Sequence, residues 1–258
     1  MKNRNFKRHN SGQVIVITAL MVALVLLSTA IFVVETEKDV PTGGSDTNNV
    51  FSAYEQAARS TLISGLANVT NGGNPSVLTT DLNELDSLIA SHSYESILQM
   101  SFTPLNEASY ENGIWISWST DGKGISSAYV TLYVNSTGAS STSTLEYAVN
   151  VTSQADLSGN YLQLNGTLNQ VNLTVNVLNE GKPALAQNFT FYYEDGASSA
   201  ENWTQVTSPS VTDFGNGTYA VSFDAQTQQP GDPLLASMHC QDQRGILVDA
   251  NVTCNNLE

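Results

Sequence analysis

Charge is scarce in this chain, and positive charge scarcest of all. Only 13% of the 258 residues are charged, against roughly a quarter in an average soluble domain. Nine are Lys or Arg and 24 are Asp or Glu. Four of the nine, Lys2, Arg4, Lys7 and Arg8, precede the first apolar run, and no acidic residue occurs before Glu35. Residues 35–258 therefore carry five basic and 24 acidic groups, a formal charge of −19. Such a surface repels phosphate backbones, which argues against nucleic acid as a partner.

Histidine and cysteine are scarcer still. His9, His92 and His239 are scattered, no CxxC or HxxxH spacing occurs, and no metal site is expected. Ser-His-Asp catalysis would need the fold to carry His92 or His239 to a serine and an acid, and no GxSxG context accompanies either. EF-hand spacing, a phosphate-binding GxxxxGK[ST] loop and a dinucleotide fingerprint are all missing. Asp81, Glu84 and Asp86 cluster, and the first two fit helix-cap chemistry. The expectation is a non-enzymatic protein without a cofactor. The two cysteines, Cys240 and Cys254, are an even count, and in an oxidising compartment they predict a disulfide, with two buried free thiols as the alternative.

What the sequence does have begins with an uncharged run of 21 residues, Val14 to Val34. At ~1.5 Å per residue a helix of that length spans roughly 31 Å, enough to cross the hydrocarbon core. The basic cluster MKNRNFKRHN lies on its N-terminal side, so the positive-inside rule predicts a cytoplasmic leader over 1–13, a transmembrane helix over 14–34 and an extracellular remainder. A secretory signal cut after Ser28-Thr29-Ala30 is the competing reading. The run is longer than a usual signal core, however, and apolar IFVV would follow the cut.

Nine Asn-x-Ser/Thr sequons follow the apolar run, at Asn68, Asn135, Asn150, Asn165, Asn172, Asn188, Asn202, Asn216 and Asn251. Asn74 precedes Pro75 and is not one. Chance in so Asn- and Thr-rich a chain predicts about five, so the excess and its placement point to N-glycosylation outside the cell.

Residues 35–49, ETEKDVPTGGSDTNN, read as a linker. Residues 50–155 then read as a helical pair followed by strands. Val50, Phe51, Tyr54, Ala57, Ala58, Thr61, Leu62 and Leu66 recur at helical spacing, with Asn49 placed to cap. Asn71-Gly72-Gly73-Asn74-Pro75 breaks that helix. A second fits 81–99, with Leu82, Leu85, Leu88 and Ile89 as its stripe. From residue 113 the period falls to two, giving strands over 114–118, 128–134 and 145–151, with Trp115 and Trp118 as core or inter-strand side chains.

Over 156–258 the alternation is cleanest. Val171, Leu173, Val175 and Val177 share one face, Asn179-Glu180-Gly181-Lys182-Pro183 turns the chain, and Tyr219, Val221 and Phe223 share another face. Leu234–Cys240 and Ile246–Val252 close a hairpin around Asp242–Gly245. Strands at this spacing suggest an antiparallel β-sandwich, so the expected fold class is mainly β with an N-terminal membrane helix and a short helical region.

Two resemblances extend this reading. The start, KRHNSGQVIVITALMVALVLLSTAIFVVE, resembles the class III signal and N-terminal helix of archaeal type IV pilins and pilin-like proteins. That resemblance implies cleavage between Gly12 and Gln13, although Ser11 stands where a basic residue commonly precedes the Gly and Ile17 where many pilins carry Glu. The segments LTVNVLNEGKPALAQNFTFYY and GNGTYAVSF, with the strand pair around QDQRGI, resemble Ig-like repeat domains of bacterial and archaeal surface proteins, which implies adhesion, spacing or display. The expected function is accordingly a membrane-anchored surface glycoprotein with an Ig-like ectodomain in a structural or adhesive role, its partners the membrane and other envelope proteins or copies of itself. A pilin-like filament subunit and a secreted glycan-binding module, using an aromatic such as Trp203, are the alternatives.

Overall fold

The computed structural model describes residues 47–92, 97–137, 142–194, 203–227 and 234–257. The expected leader, membrane span and most of the linker, together with Gly12, Gln13 and Asn202, lie outside the described residues. Among those described, no helix is long and apolar enough to cross a membrane. Phe51–Glu258 forms one unit.

The protein is mainly β. Among the described residues two helices, α1 (Thr47–Thr70) and α2 (Val77–His92), precede every strand. Asn49 lies inside α1 rather than at its cap. α2 begins four residues before Asp81 because Asn74-Pro75 starts it: the Asn74 side chain accepts the Ser76 N–H at 2.9 Å, and proline fits the first helical position. The predicted continuation of this helix to residue 99 gives way to strand β1 (Ile97–Pro104). β2 (Ile114–Trp118) and β3 (Lys123–Thr137) follow, and β3 pairs antiparallel with both β1 and β2.

The longest strand, β4 (Thr142–Asn165), passes the expected junction at 155/156 without a break. It pairs antiparallel with β3 from Lys123↔Asp156 to Thr137↔Thr142, and with β5 (Leu168–Asn179) on its other side. The β5 turn is a two-residue hairpin with Glu180 at φ 47° and Gly181 at φ 75°, a primed turn whose twist matches its strands. β6 (Lys182–Pro183) stops there, since proline offers no N–H to the ladder. The chain then crosses to a second layer as β7 (Ala186–Glu194) and β8 (Trp203–Gln205), returns as β9 (Ser210–Asp213) and β10 (Thr218–Gln226), and ends in the second layer as β11 (Leu234–Asp242) and β12 (Leu247–Asn256). The strand order is β9-β10-β5-β4-β3 in the first layer and β8-β7-β11-β12 in the second. The last residues of β12 pair in parallel with β4 at Asn255↔Asn160 and join the two.

One face of the long β3–β4 pair is covered twice. Toward one end Val130, Leu132, Val134, Val149 and Val151 pack with Ala58, Leu62 and Leu66 of α1 and Leu78 and Leu82 of α2. Leu88, expected on that stripe, is 59% exposed instead. Toward the other end Ala155, Leu157 and Tyr161 join Val171–Val177 of β5 and Tyr219–Phe223 of β10 against Phe191, Met238 and Ala250 of the second layer. Odd positions of β4 serve both cores, as a period of two requires. Where the covers meet, glycine lets backbones approach: a Cβ on Gly124 would fall 2.1 Å from Asp249 O.

The β11–β12 turn is tied to its surroundings by ion pairs. Arg244 donates to the fully buried Asp242 Oδ2 at 2.7 Å, to Glu180 Oε1 at 2.7 Å and to Thr152 O at 3.0 Å. Arg59 of α1 reaches Glu180 Oε2 at 3.1 Å. Burial alone would raise the Glu180 carboxyl, but the bonds from Arg244 and the Thr152 N–H and the charges of Arg244 and Arg59 outweigh it and hold the group below its ordinary value.

Candidate functional site

Polar side chains gather on the outer face of the β8-β7-β11-β12 layer. The register sets Tyr192, Ser237 and Asn251 in one row across β7, β11 and β12, and Thr190, His239 and Asp249 in the next. Their neighbours Ala236, Met238, Cys240, Val248 and Ala250 point the other way, into the core. On an open sheet this outer face would be wet, yet Ser237 is 4% exposed and Asp249 8%.

Two tryptophans line a cleft over this face. Trp203 stands on β8, beside Glu194 of β7. Trp118 ends β2 and is carried to β12 by the turn that follows: the Gly122 N–H donates to Asn251 O at 2.8 Å, and the Asn251 N–H to Ser119 O at 3.1 Å. Gly122 holds φ 84°, and a Cβ there would lie 2.2 Å from Leu157 O, so only glycine makes this turn and approach together. The Trp118 Nε1–H donates to Ser126 Oγ at 3.3 Å, and Ser126 in turn to Leu247 O at 2.7 Å. Trp118, 36% exposed and expected as a core or inter-strand side chain, and the half-buried Trp203 thus help wall a cleft of about 480 Å³.

On the cleft floor the Tyr192 and His239 rings lie 4.9 Å apart at 45°, and His239 Nδ1 is 3.6 Å from Asp249 Oδ1. That distance is too long for a hydrogen bond, and among the described residues Asp249 Oδ1 has no hydrogen-bond partner. Burial pushes the Asp249 carboxyl above its ordinary value, with the His239 charge acting against it. A buried acceptor left without a donor weakens a fold, and this one lines a cleft that a donor could enter. The fold does carry His239 to an acid and a serine, an arrangement that sequence spacing cannot display. Ser237 and His239 stand two residues apart on the same face of β11, and among the described residues no hydrogen bond joins them.

The other singled-out residues lie elsewhere. Asn68, Asn150, Asn165, Asn188 and Asn216 are exposed, and Asn135, Asn172 and Asn251 half-buried. Asn251 alone among them lines the cleft. The Asn188 side chain, at φ 56°, donates to Gln241 Oε1 at 2.8 Å. In place of the expected bridge, Cys240 and Cys254 are free and buried. Cys254 pairs with Leu234 and Cys240 with Val248. The pairing puts the two cysteines six positions apart along the ladder, about 20 Å at ~3.4 Å per residue, where a disulfide needs Cα atoms within about 7 Å. Burial pushes both thiols up to about 12.

No protein-family model, no curated protein and no solved structure matches this chain.

Proposed function

We propose that this chain is a non-enzymatic, membrane-anchored, N-glycosylated cell-surface protein whose Ig-like ectodomain serves a structural or adhesive role in the envelope. The observation that carries the reading is the strand order. β4-β5-β10-β9 facing β12-β11-β7-β8 corresponds to strands A-B-E-D facing G-F-C-C′ of an Ig-type sandwich, with the helices and β1–β3 added beyond strand A. Fold analogy alone does not assign a role, so the apolar run at Val14–Val34 and the sequons beyond it supply the location. All eight sequons among the described residues sit at exposed or half-buried positions, where a glycan is accommodated without opening a core.

Two measurements test the reading. Protease treatment of intact cells should remove the part of the chain beyond Glu35, and full protection in cells that remain sealed would refute surface display. Peptide mass spectrometry of the mature N-terminus should find Met1 or a residue close to it. A start at Gln13 would instead transfer the chain to the pilin-like reading, in which the apolar helix packs among copies of itself.

A further inference from the structure

We propose that the cleft between Trp118 and Trp203 binds the ring of a neutral sugar. The inference deepens the surface reading and rests on it only for the origin of the sugar. Three features select this ligand class. The walls are aromatic, and the negative face of an indole or phenol attracts the weakly positive C–H face of a pyranose ring. The floor offers a buried carboxylate oxygen with no donor among the described residues, flanked by Ser237, Asn251 and His239, which suits the hydroxyl edge of the same ring. The volume, about 480 Å³, falls within the roughly 300–1,000 Å³ of small-molecule sites.

Other ligand classes satisfy fewer of these features. A purely apolar molecule would leave Asp249 Oδ1 unpartnered, at a penalty of the unmade hydrogen bond. An anion, an acidic sugar included, would meet both Asp249 and the −19 of residues 35–258. A metal ion is poorly served, since no group of three His, Cys, Asp or Glu side chains converges among the described residues. A neutral pyranose has both a C–H face and hydroxyl donors. Two sources could provide it: a glycan on another molecule, or the chain's own N-glycan on Asn251, which lines the same cleft.

The test uses the purified full-length chain, made without N-glycosylation and held in a detergent with no sugar head group. Tryptophan fluorescence is titrated with the methyl glycosides of mannose, glucose and galactose, with cyclohexanol as the apolar control. At least one glycoside should give a saturable change that cyclohexanol does not. Trp203→Ala should abolish it. Asp249→Asn, which keeps the shape of the side chain, should weaken it tenfold or more with the unfolding midpoint unchanged or higher. No saturation by any glycoside up to roughly 100 mM would overturn the proposal, as would saturation unaltered in both variants.

The same titration on glycosylated chain separates the sources. Binding by the glycosylated protein assigns the cleft to a glycan on another molecule. Binding only after Thr253→Ala, which removes the sequon at an exposed position, assigns it to the glycan on Asn251. Both outcomes support the site. Because the titration uses isolated protein, its failure is distinct from failure of surface display, which is read from protease accessibility on cells.

Discussion

Replacing Arg244 with methionine should be among the most damaging single changes outside the apolar cores. The guanidinium is 17% exposed and makes three side-chain bonds, to Asp242, Glu180 and Thr152 O, while Asp242 is fully buried. Methionine retains much of the aliphatic stem but strands the Asp242 carboxylate. Breaking a buried pair from one side costs about 3–5 kcal/mol. Asp242 keeps two backbone donors, the N–H groups of Arg244 at 2.8 Å and Ile246 at 3.0 Å, so the lower end of that range is the better figure. We expect a loss of about 3 kcal/mol, a large share of a domain's ~5–15 kcal/mol. Urea unfolding followed by tryptophan fluorescence measures it. Adding Asp242→Asn should restore about 1–2 kcal/mol, because the stranded charge is then gone. The Glu180 carboxyl is held below its ordinary value, so the stabilisation it draws from Arg244 is present above the unfolded carboxylate range and is lost as pH falls through the depressed folded value. The difference between Arg244→Met and wild type should therefore shrink in acid. A loss under about 0.5 kcal/mol at neutral pH, or no recovery in the double variant, would refute the reasoning.

Three further outcomes follow from other parts of the fold. Gly124→Ala places a methyl 2.1 Å from Asp249 O and 2.8 Å from Val248 Cγ1, backbone among them, so it should destabilise by about 2–3 kcal/mol or more in the same assay. Asp249→Asn should be neutral or stabilising at pH 7: a folded value raised by burial means wild-type stability is fully present below the unfolded aspartate range and declines as pH rises through the folded value. Wild type and variant should converge in acid, and a variant markedly less stable at neutral pH would contradict the burial argument. Cys240 and Cys254, pushed up to about 12, should resist thiol reagents at pH 8 in the native protein and both react after unfolding, with no mass change on reduction; a reducible link between them would contradict the strand register.

The sequence by itself determined what depends on local periodicity and turn chemistry. A spacing of two in Val171–Val177 and Tyr219–Phe223 marked buried faces, because alternate side chains of a strand point to opposite sides. β2 was legible as Ile114–Trp118, and Asn179–Pro183 as a turn, which the structure makes a two-residue hairpin because glycine admits the positive φ it needs. Where two local signals competed, the sequence misled: Asp81 and Glu84 imitated a cap, while Asn74-Pro75 started the helix. Only the tertiary structure decided which residues meet across long separations. Trp118 reaches the cleft because the Ser119–Lys123 turn docks on β12, and Ser126 meets Leu247 across 121 positions. His239 meets Asp249 because the turn of the β11–β12 hairpin sets that register, not because any spacing announces a pair. The cysteines stay apart for the same reason. Register and layer order are properties of the assembled sheet, and one face of β4 can be covered by helices at one end and strands at the other without any change in its own alternation.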